Sequence, residues 1–209
     1  MKKYLLSILF IVIAMPLLGQ TANFSGKITY KYEFQDPANG ETITEKMKKF
    51  FGKEKHFFIN AENYHAYDEK GTLRQLYHSD TNTYYFRSPN NGKLIAVEAA
   101  KKVSEIISVE HSDEKVEVMG KTCHKVVIKT EHDETTYWYN PDISVNPANF
   151  KDHNFGGWSA FMNASNGALP LKFKVKAPNY IWVSEAVSIK EMEISNKEFD
   201  ILSSRNTDD

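Results

Sequence analysis

Cys123 stands beside His124, which pairs a thiol with a base, the combination nucleophilic catalysis needs. Both fall in a strand-like run, however, and neighbouring side chains on a strand point to opposite faces, so the two would not meet. Cys123 is the only cysteine, which excludes an internal disulfide framework and a cysteine-based metal cluster. An exposed lone thiol oxidises readily outside the cytoplasm, so Cys123 is expected to be buried as a small hydrophobe. The seven histidines, His56, His65, His78, His111, His124, His132 and His153, raise the question of a metal. None shares the i, i+2 strand or i, i+4 helix spacing that would place two on one ion, and zinc usually needs at least three protein ligands. His132-Asp133 and Asp152-His153 read instead as solvated turn pairs. There is no G-x-S-x-G, H-E-x-x-H, G-x-x-x-x-G-K-[ST], G-x-G-x-x-G or EF-hand loop. No catalytic residue, metal or cofactor is therefore expected, and a hydrolase with a scattered site has no sequence signature.

The charges tell a similar story. Lys172, Lys174 and Lys176 share one face of a strand, which keeps it soluble and discourages edge pairing. Glu110, Asp113, Glu114 and Glu117 read as a solvated turn. With 26 Lys and Arg against 27 Asp and Glu, the net charge of −1 lacks the basic surplus of a nucleic-acid binder. Hydrophobic residues at 41% and aromatics at 13% are enough for a packed core, which excludes a disordered chain.

These residues must be positioned by a β-rich scaffold. Lys2 and Lys3 followed by an apolar run from Tyr4 to Leu18 give residues 1–20 the form of a secretory signal. The run is about 15 residues, short of the roughly 20 that span a bilayer; a retained anchor is the rival reading. Removing the signal takes the net charge from −1 to −3. Residues 21–202 are expected to form one β-rich domain, with no transmembrane anchor once the signal is cleaved, and 203–209 a polar tail. Ile28, Tyr30, Tyr32 and Phe34 alternate with polar residues, as do Leu169, Leu171, Phe173 and Val175. That period of two marks half-buried strands. Further strands are expected at Leu73–Tyr77, Tyr84–Phe86, Lys93–Ala99, Val116–Met119, Cys123–Thr130, Thr135–Tyr139 and Tyr180–Ile194. Met47–Phe51 and His56–Ile59 read as a hairpin across Gly52, and Glu198–Leu202 as a short edge strand. Pro89-Asn90-Asn91-Gly92 gives the strongest hairpin signal, because Asn-Gly tolerates a primed turn. Val97–Ile107 is ambiguous between helix and strand. Phe155–Ala164 is a candidate short helix inside the one long irregular segment, Pro141–Ala168. Closely spaced turns between adjacent strands imply an antiparallel meander.

Several strands are apolar on both faces: Tyr84-Tyr85-Phe86, Tyr137-Trp138-Tyr139 and Ile181-Trp182-Val183. Either a loop or the short helix covers the second face, or a curved sheet encloses an apolar groove of the kind that takes small ligands. The candidates for such a groove are Tyr30, Tyr32, Tyr84, Phe86, Trp138, Phe173 and Trp182, each of which could equally be ordinary core.

Four segments carry a resemblance. They are Phe24–Tyr30 directly after the export signal, Met119–Lys125 with its glycine-x-x-cysteine-x-lysine spacing, Tyr137–Ile143, and Gly167–Lys172 before a long last hairpin. Together they resemble the GLPGLI-type and related uncharacterised envelope proteins of Gram-negative bacteria, which are similar to the LolA-like lipoprotein-carrier superfamily. Gly167 to Leu171 only approximates the Gly-Leu-Pro-Gly-Leu-Ile motif. The resemblance implies a half-open β-barrel covered by short helices or a loop, an acyl chain or similar apolar ligand on the concave face, no catalytic residues, and a periplasmic or secreted location. Two functions stay open: an exported binder of a lipid or other apolar ligand, and an envelope protein–protein adaptor with no small ligand.

Overall fold

The computed structural model describes residues 23–201. The export signal expected at 1–20, position 202 and the polar tail expected at 203–209 lie outside the described residues. Eleven strands form one sheet: β1 (Gly26–Gln35), β2 (Glu54–Ile59), β3 (Tyr64–Tyr67), β4 (Leu73–His78), β5 (Thr83–Arg87), β6 (Leu94–Glu98), β7 (Ile106–Val118), β8 (Lys121–Thr130), β9 (Glu134–Ser144), β10 (Ala168–Ala177) and β11 (Tyr180–Glu191). Their order is β6-β5-β4-β3-β2-β1-β11-β10-β9-β8-β7, with antiparallel neighbours throughout. Two meanders, β1–β6 and β7–β11, thus meet at the β1–β11 pair, which runs from Gly26↔Glu191 to Gln35↔Ile181. The outer strands β6 and β7 do not pair with each other, so the sheet stays open.

Alternation works as the sequence predicts where one face is wet. On β1, Ile28, Tyr30 and Phe34 are buried, whereas Lys31 and Glu33 are exposed. Each such burial contributes about 1.5–3 kcal/mol. Elsewhere both faces are covered. Residues 145–167 fold back as a plug on one face, with 3-10 turns at Pro147–Phe150 and Phe155–Gly157 and helix α2 at Trp158–Ala164. The plug buries Phe150, Phe161 and Met162 completely. Its Phe161 packs on Tyr137 at 4.3 Å, and Trp158 lies 5.6 Å from Tyr64. A separate cluster joins Leu73 and Leu76 to Ile194 and Phe199 of the C-terminal segment.

Five expectations need correction. Met47–Phe51 is not a strand but part of helix α1 (Thr44–Phe51). Met47, Phe50 and Phe51 recur at helical spacing, the Phe34 N–H donates to the Thr44 hydroxyl, and Gly52 ends the helix at φ +79°. Glu198–Leu202 is not an edge strand: Asn196–Phe199 is a 3-10 turn closed by a Ser195–Glu198 capping box. Glu110, Asp113, Glu114 and Glu117 lie on strand β7 rather than in a turn, with Glu114 paired to Lys125 at 2.5 Å. The ambiguous Val97–Ile107 resolves into the end of β6, a loop and the start of β7, with no helix. Finally, the two-residue primed turn is Met119-Gly120, where φ is +54° and +72° and Val118 faces Lys121. The Pro89–Gly92 hairpin is present and joins β5 to β6 from Arg87↔Leu94, but its turn is not primed: in that loop only Gly92 has positive φ, at +69°.

Candidate ligand cleft

The candidate site grows from the β1–β11–β10 seam. Cross-strand partners share a face, so Tyr32, Ser184, Phe173 and Tyr137 make one row, and Phe34, Trp182 and Val175 the next. The rings interlock across these rows. Trp182 stacks on Phe34 at 5.7 Å and meets Tyr32 and Phe173 edge-on at 5.0 Å and 4.9 Å. Helix α1 adds Phe51, 5.6 Å from Trp182. From the plug, Phe155 comes within 5.1 Å of Tyr84 and 5.5 Å of Phe86. Between these two aromatic groups lies a cleft of about 220 Å³, open to solvent and walled by Tyr32, Phe51, Tyr84, Phe86, Phe155 and Trp182.

The seven groove candidates separate accordingly. Tyr32, Tyr84, Phe86 and Trp182 line the cleft. Phe173 backs Trp182 without lining it. Tyr30 is buried, and its hydroxyl donates to the Pro170 carbonyl at 2.7 Å. Trp138 requires a correction of placement. Tyr137 takes the plug side of β9, so Trp138 is on the other face, with the Lys172 ammonium 5.8 Å from its ring. The sequence missed Phe51, hidden by the strand reading of α1, and Phe155, which only the long irregular segment could have pointed to. It also missed the polar lining: Glu54, Lys55, Arg74, Gln75 and Arg87.

Two of these polar groups, Arg74 and Gln75, are held firmly. Arg74 donates from Nε and Nη2 to Asp68 Oδ2 at 2.9 Å and 2.7 Å, and from Nη1 to the Phe50 carbonyl at the end of α1. Gln75 Nε2 donates to the Tyr84 hydroxyl at 2.9 Å, and burial holds that phenol well above its usual pKa. A second cavity of about 290 Å³ is lined by Ile128, Thr135 and Tyr137 beside the β6–β7 loop. Phe155 lines the first cavity and Gly156 and Gly157 the second, so their turn divides the two.

His153 is another correction. It is 1% exposed rather than solvated, and it stacks on Tyr64, whose Oη is 2.7 Å from His153 Nε2. Its environment is aromatic from Tyr77, Tyr84 and Trp158 as well, and this desolvation pulls its pKa from 6.5 to about 3. Among the described residues, no three of His, Cys, Asp and Glu are gathered as a metal would require. Cys123 is fully buried, and burial pushes its thiol pKa up. Cys123 is therefore expected to resist Ellman's reagent in native protein and to react promptly in denaturant. Stoichiometric colour within minutes under native conditions would contradict that.

No family model and no curated protein matches this chain. Among solved structures it is similar to PNGF-II, at 13% identity and a TM-score of 0.47, covering 83% of this chain and 30% of that one. The chain thus spans about a third of the length of that protein. It is also similar to a LolA superfamily protein from Nitrosomonas europaea, at 8% identity and a TM-score of 0.36, covering 86% and 92% of the two chains. A domain described as an outer membrane lipoprotein-sorting protein from Vibrio parahaemolyticus gives 6% identity and a TM-score of 0.34, with coverage of 87% and 92%. The cleft, rather than these likenesses, carries the function proposed next.

Proposed function

We propose that this chain is an exported, non-enzymatic binding protein of the cell envelope that holds a lipid or other apolar ligand against its sheet. One observation carries the proposal: the open cleft between α1, the β4–β5 hairpin and Phe155, lined by eight aromatic residues, Phe50 and Tyr67 among them. Open apolar surface of this kind is normally covered by a ligand or partner. Burying a chain in it gains about 0.8 kcal/mol per CH₂, with no reactive group required. Its 220 Å³ falls just below the roughly 300–1,000 Å³ of common ligand sites. It therefore suits the end of an acyl chain or a compact apolar group better than a whole lipid.

The test is titration with the fluorescent probe N-phenylnaphthylamine. Wild-type protein is expected to brighten the probe saturably. Trp182→Ala should weaken binding at least tenfold, as loss of a central aromatic anchor does. Trp138→Ala, on the other face, should leave it unchanged. An unresponsive probe, or equal effects of the two substitutions, would rule the cleft out.

The adaptor reading draws on β7, an edge strand with Ile106, Ile107 and Val109 exposed. The same strand carries Glu110, Asp113, Glu114 and Glu117, and charges of this kind blunt strand addition. The cleft reading is preferred for that reason.

A further inference from the structure

Lys55 lies on β2 directly opposite Tyr30 of β1, so its side chain shares the plug face of the sheet and reaches the cleft. Its ammonium sits over two rings, 5.5 Å from the centre of Tyr30 and 4.6 Å from that of Phe57. No carboxylate among the described residues lies within ion-pair distance of it. The neighbouring cations differ: Lys53 pairs with Glu45 at 2.6 Å and Arg74 with Asp68 at 2.7 Å. Arg87 also lines the cleft and donates only to main-chain carbonyls, those of Leu73 at 2.7 Å and Gly92 at 2.5 Å. Glu54 is the one carboxylate in the lining, and its nearest basic partner is His56 at 3.9 Å.

An ammonium carries three donors and no acceptor. Ring faces attract the charge but accept no strong hydrogen bond. Taking such a group partly out of water costs free energy unless a partner satisfies it. Burial accordingly draws the Lys55 pKa from 10.5 to about 8, which still leaves most of the population charged at neutral pH. A half-buried cation with no protein acceptor is therefore kept beside an aromatic cleft, and a second cation without a carboxylate partner lines the same cleft.

We infer that the ligand is an anionic amphiphile, its apolar part between Trp182 and Phe155 and its anionic head on the Lys55 ammonium, with Arg87 adding to the local positive field. This rests on the cleft reading above and narrows it to a ligand class. A carboxylate or a phosphate would each supply the acceptor, since both form charge-assisted hydrogen bonds with an ammonium.

The experiment displaces N-phenylnaphthylamine with octanoate, octyl phosphate and octanol at neutral pH. These probes share a tail and differ in the head. Wild-type protein is expected to prefer at least one anion over octanol by about tenfold, the equivalent of one charge-assisted hydrogen bond. Whichever anion shows the preference identifies the head group. Lys55→Met should erase the preference while still binding octanol, and Lys55→Arg should keep it, which guards against a folding defect in the first variant. Equal binding of all three probes by the wild type, or a preference that survives Lys55→Met, overturns the anionic class and leaves the apolar cleft standing. If the dye binds and no octyl compound displaces it, the anionic class falls as well. If neither dye nor octyl compound binds, both readings fall.

Discussion

Lowering the pH from 7 to 4 is expected to remove about 6 kcal/mol of folding stability through two histidines, His153 and His65. Both are buried, at 1% and 7% exposure, on opposite faces of β3 and its neighbours. His153 lies among Tyr64, Tyr77 and Trp158, and His65 among Phe58, Tyr67 and Phe199. Desolvation lowers their pKa values from 6.5 to about 3 and about 4. A base with a depressed native pKa is held neutral by the fold. Its stabilisation is complete above 6.5, where neither state is protonated. Below that the unfolded chain takes up protons that the native protein refuses, and stability declines until the native pKa is reached. Each histidine then accounts for about 3 kcal/mol by pH 4. A domain of this size has roughly 5–15 kcal/mol in total. Urea midpoints followed by circular dichroism at pH 7 and 4 give the measurement. The double variant His153→Phe, His65→Leu should flatten the dependence. The Phe ring keeps the stacking on Tyr64 but leaves that hydroxyl unpaired, which costs about 1–3 kcal/mol at every pH. A wild-type midpoint that does not move between the two pH values would refute the argument.

The second large effect concerns Gly167, where the plug returns to the sheet. Its φ is +81°, and a Cβ there would lie 2.0 Å from the Val145 carbonyl oxygen and 2.9 Å from Pro147 Cδ. Its own N–H donates to the Met162 carbonyl at 2.8 Å, and its carbonyl accepts from the Val145 N–H at 3.0 Å. A side chain must therefore push apart the two ends of the plug. The left-handed conformation costs an alanine about 1–2 kcal/mol, and displacing packed backbone about 1–3 more. Gly167→Ala should accordingly destabilise by about 3–4 kcal/mol. Gly71→Ala is the control, since Gly71 also has positive φ, +74°, but nothing within 4 Å of its would-be Cβ. It should cost only about 1 kcal/mol. Comparable urea midpoints for the two variants would show that crowding at Gly167 is not what holds the plug.

Local patterns were readable where one side of a strand is wet. Alternation located β1 and β10, and the segment from Phe155 does contain a helix; β4 was also located, although Leu76 and Tyr77 bury both of its faces. The burial of Cys123 followed from its chemistry. The unread parts depend on partners distant in the chain. Met47–Phe51 holds three apolar residues around Lys48 and Lys49, too short a stretch for its period to separate strand from helix, and Gly52 ends either one. His153 sits between an aspartate and an asparagine, and nothing local signals that Tyr64, 89 residues away, will shield it. Trp138 and Tyr137 are equally apolar, and only the pairing Phe173↔Tyr137 decides which faces the plug. Of the four groove candidates that line the cleft, Tyr32 and Trp182 meet at the β1–β11 seam and Tyr84 and Phe86 come from β5, a juxtaposition that no short-range pattern encodes.

That seam also bears on how the molecule is made. Strand β1 leaves the ribosome first and β11 last, yet they are neighbours at the middle of the sheet. The β1–β2 hairpin covers one flank of β1, but the other stays bare until β11 has been made. Assembly dominated by so distant a pairing is slow, on the millisecond-to-second scale of high-contact-order proteins. A nascent chain that cannot finish folding early stays threadable, a property that the proposed export would use.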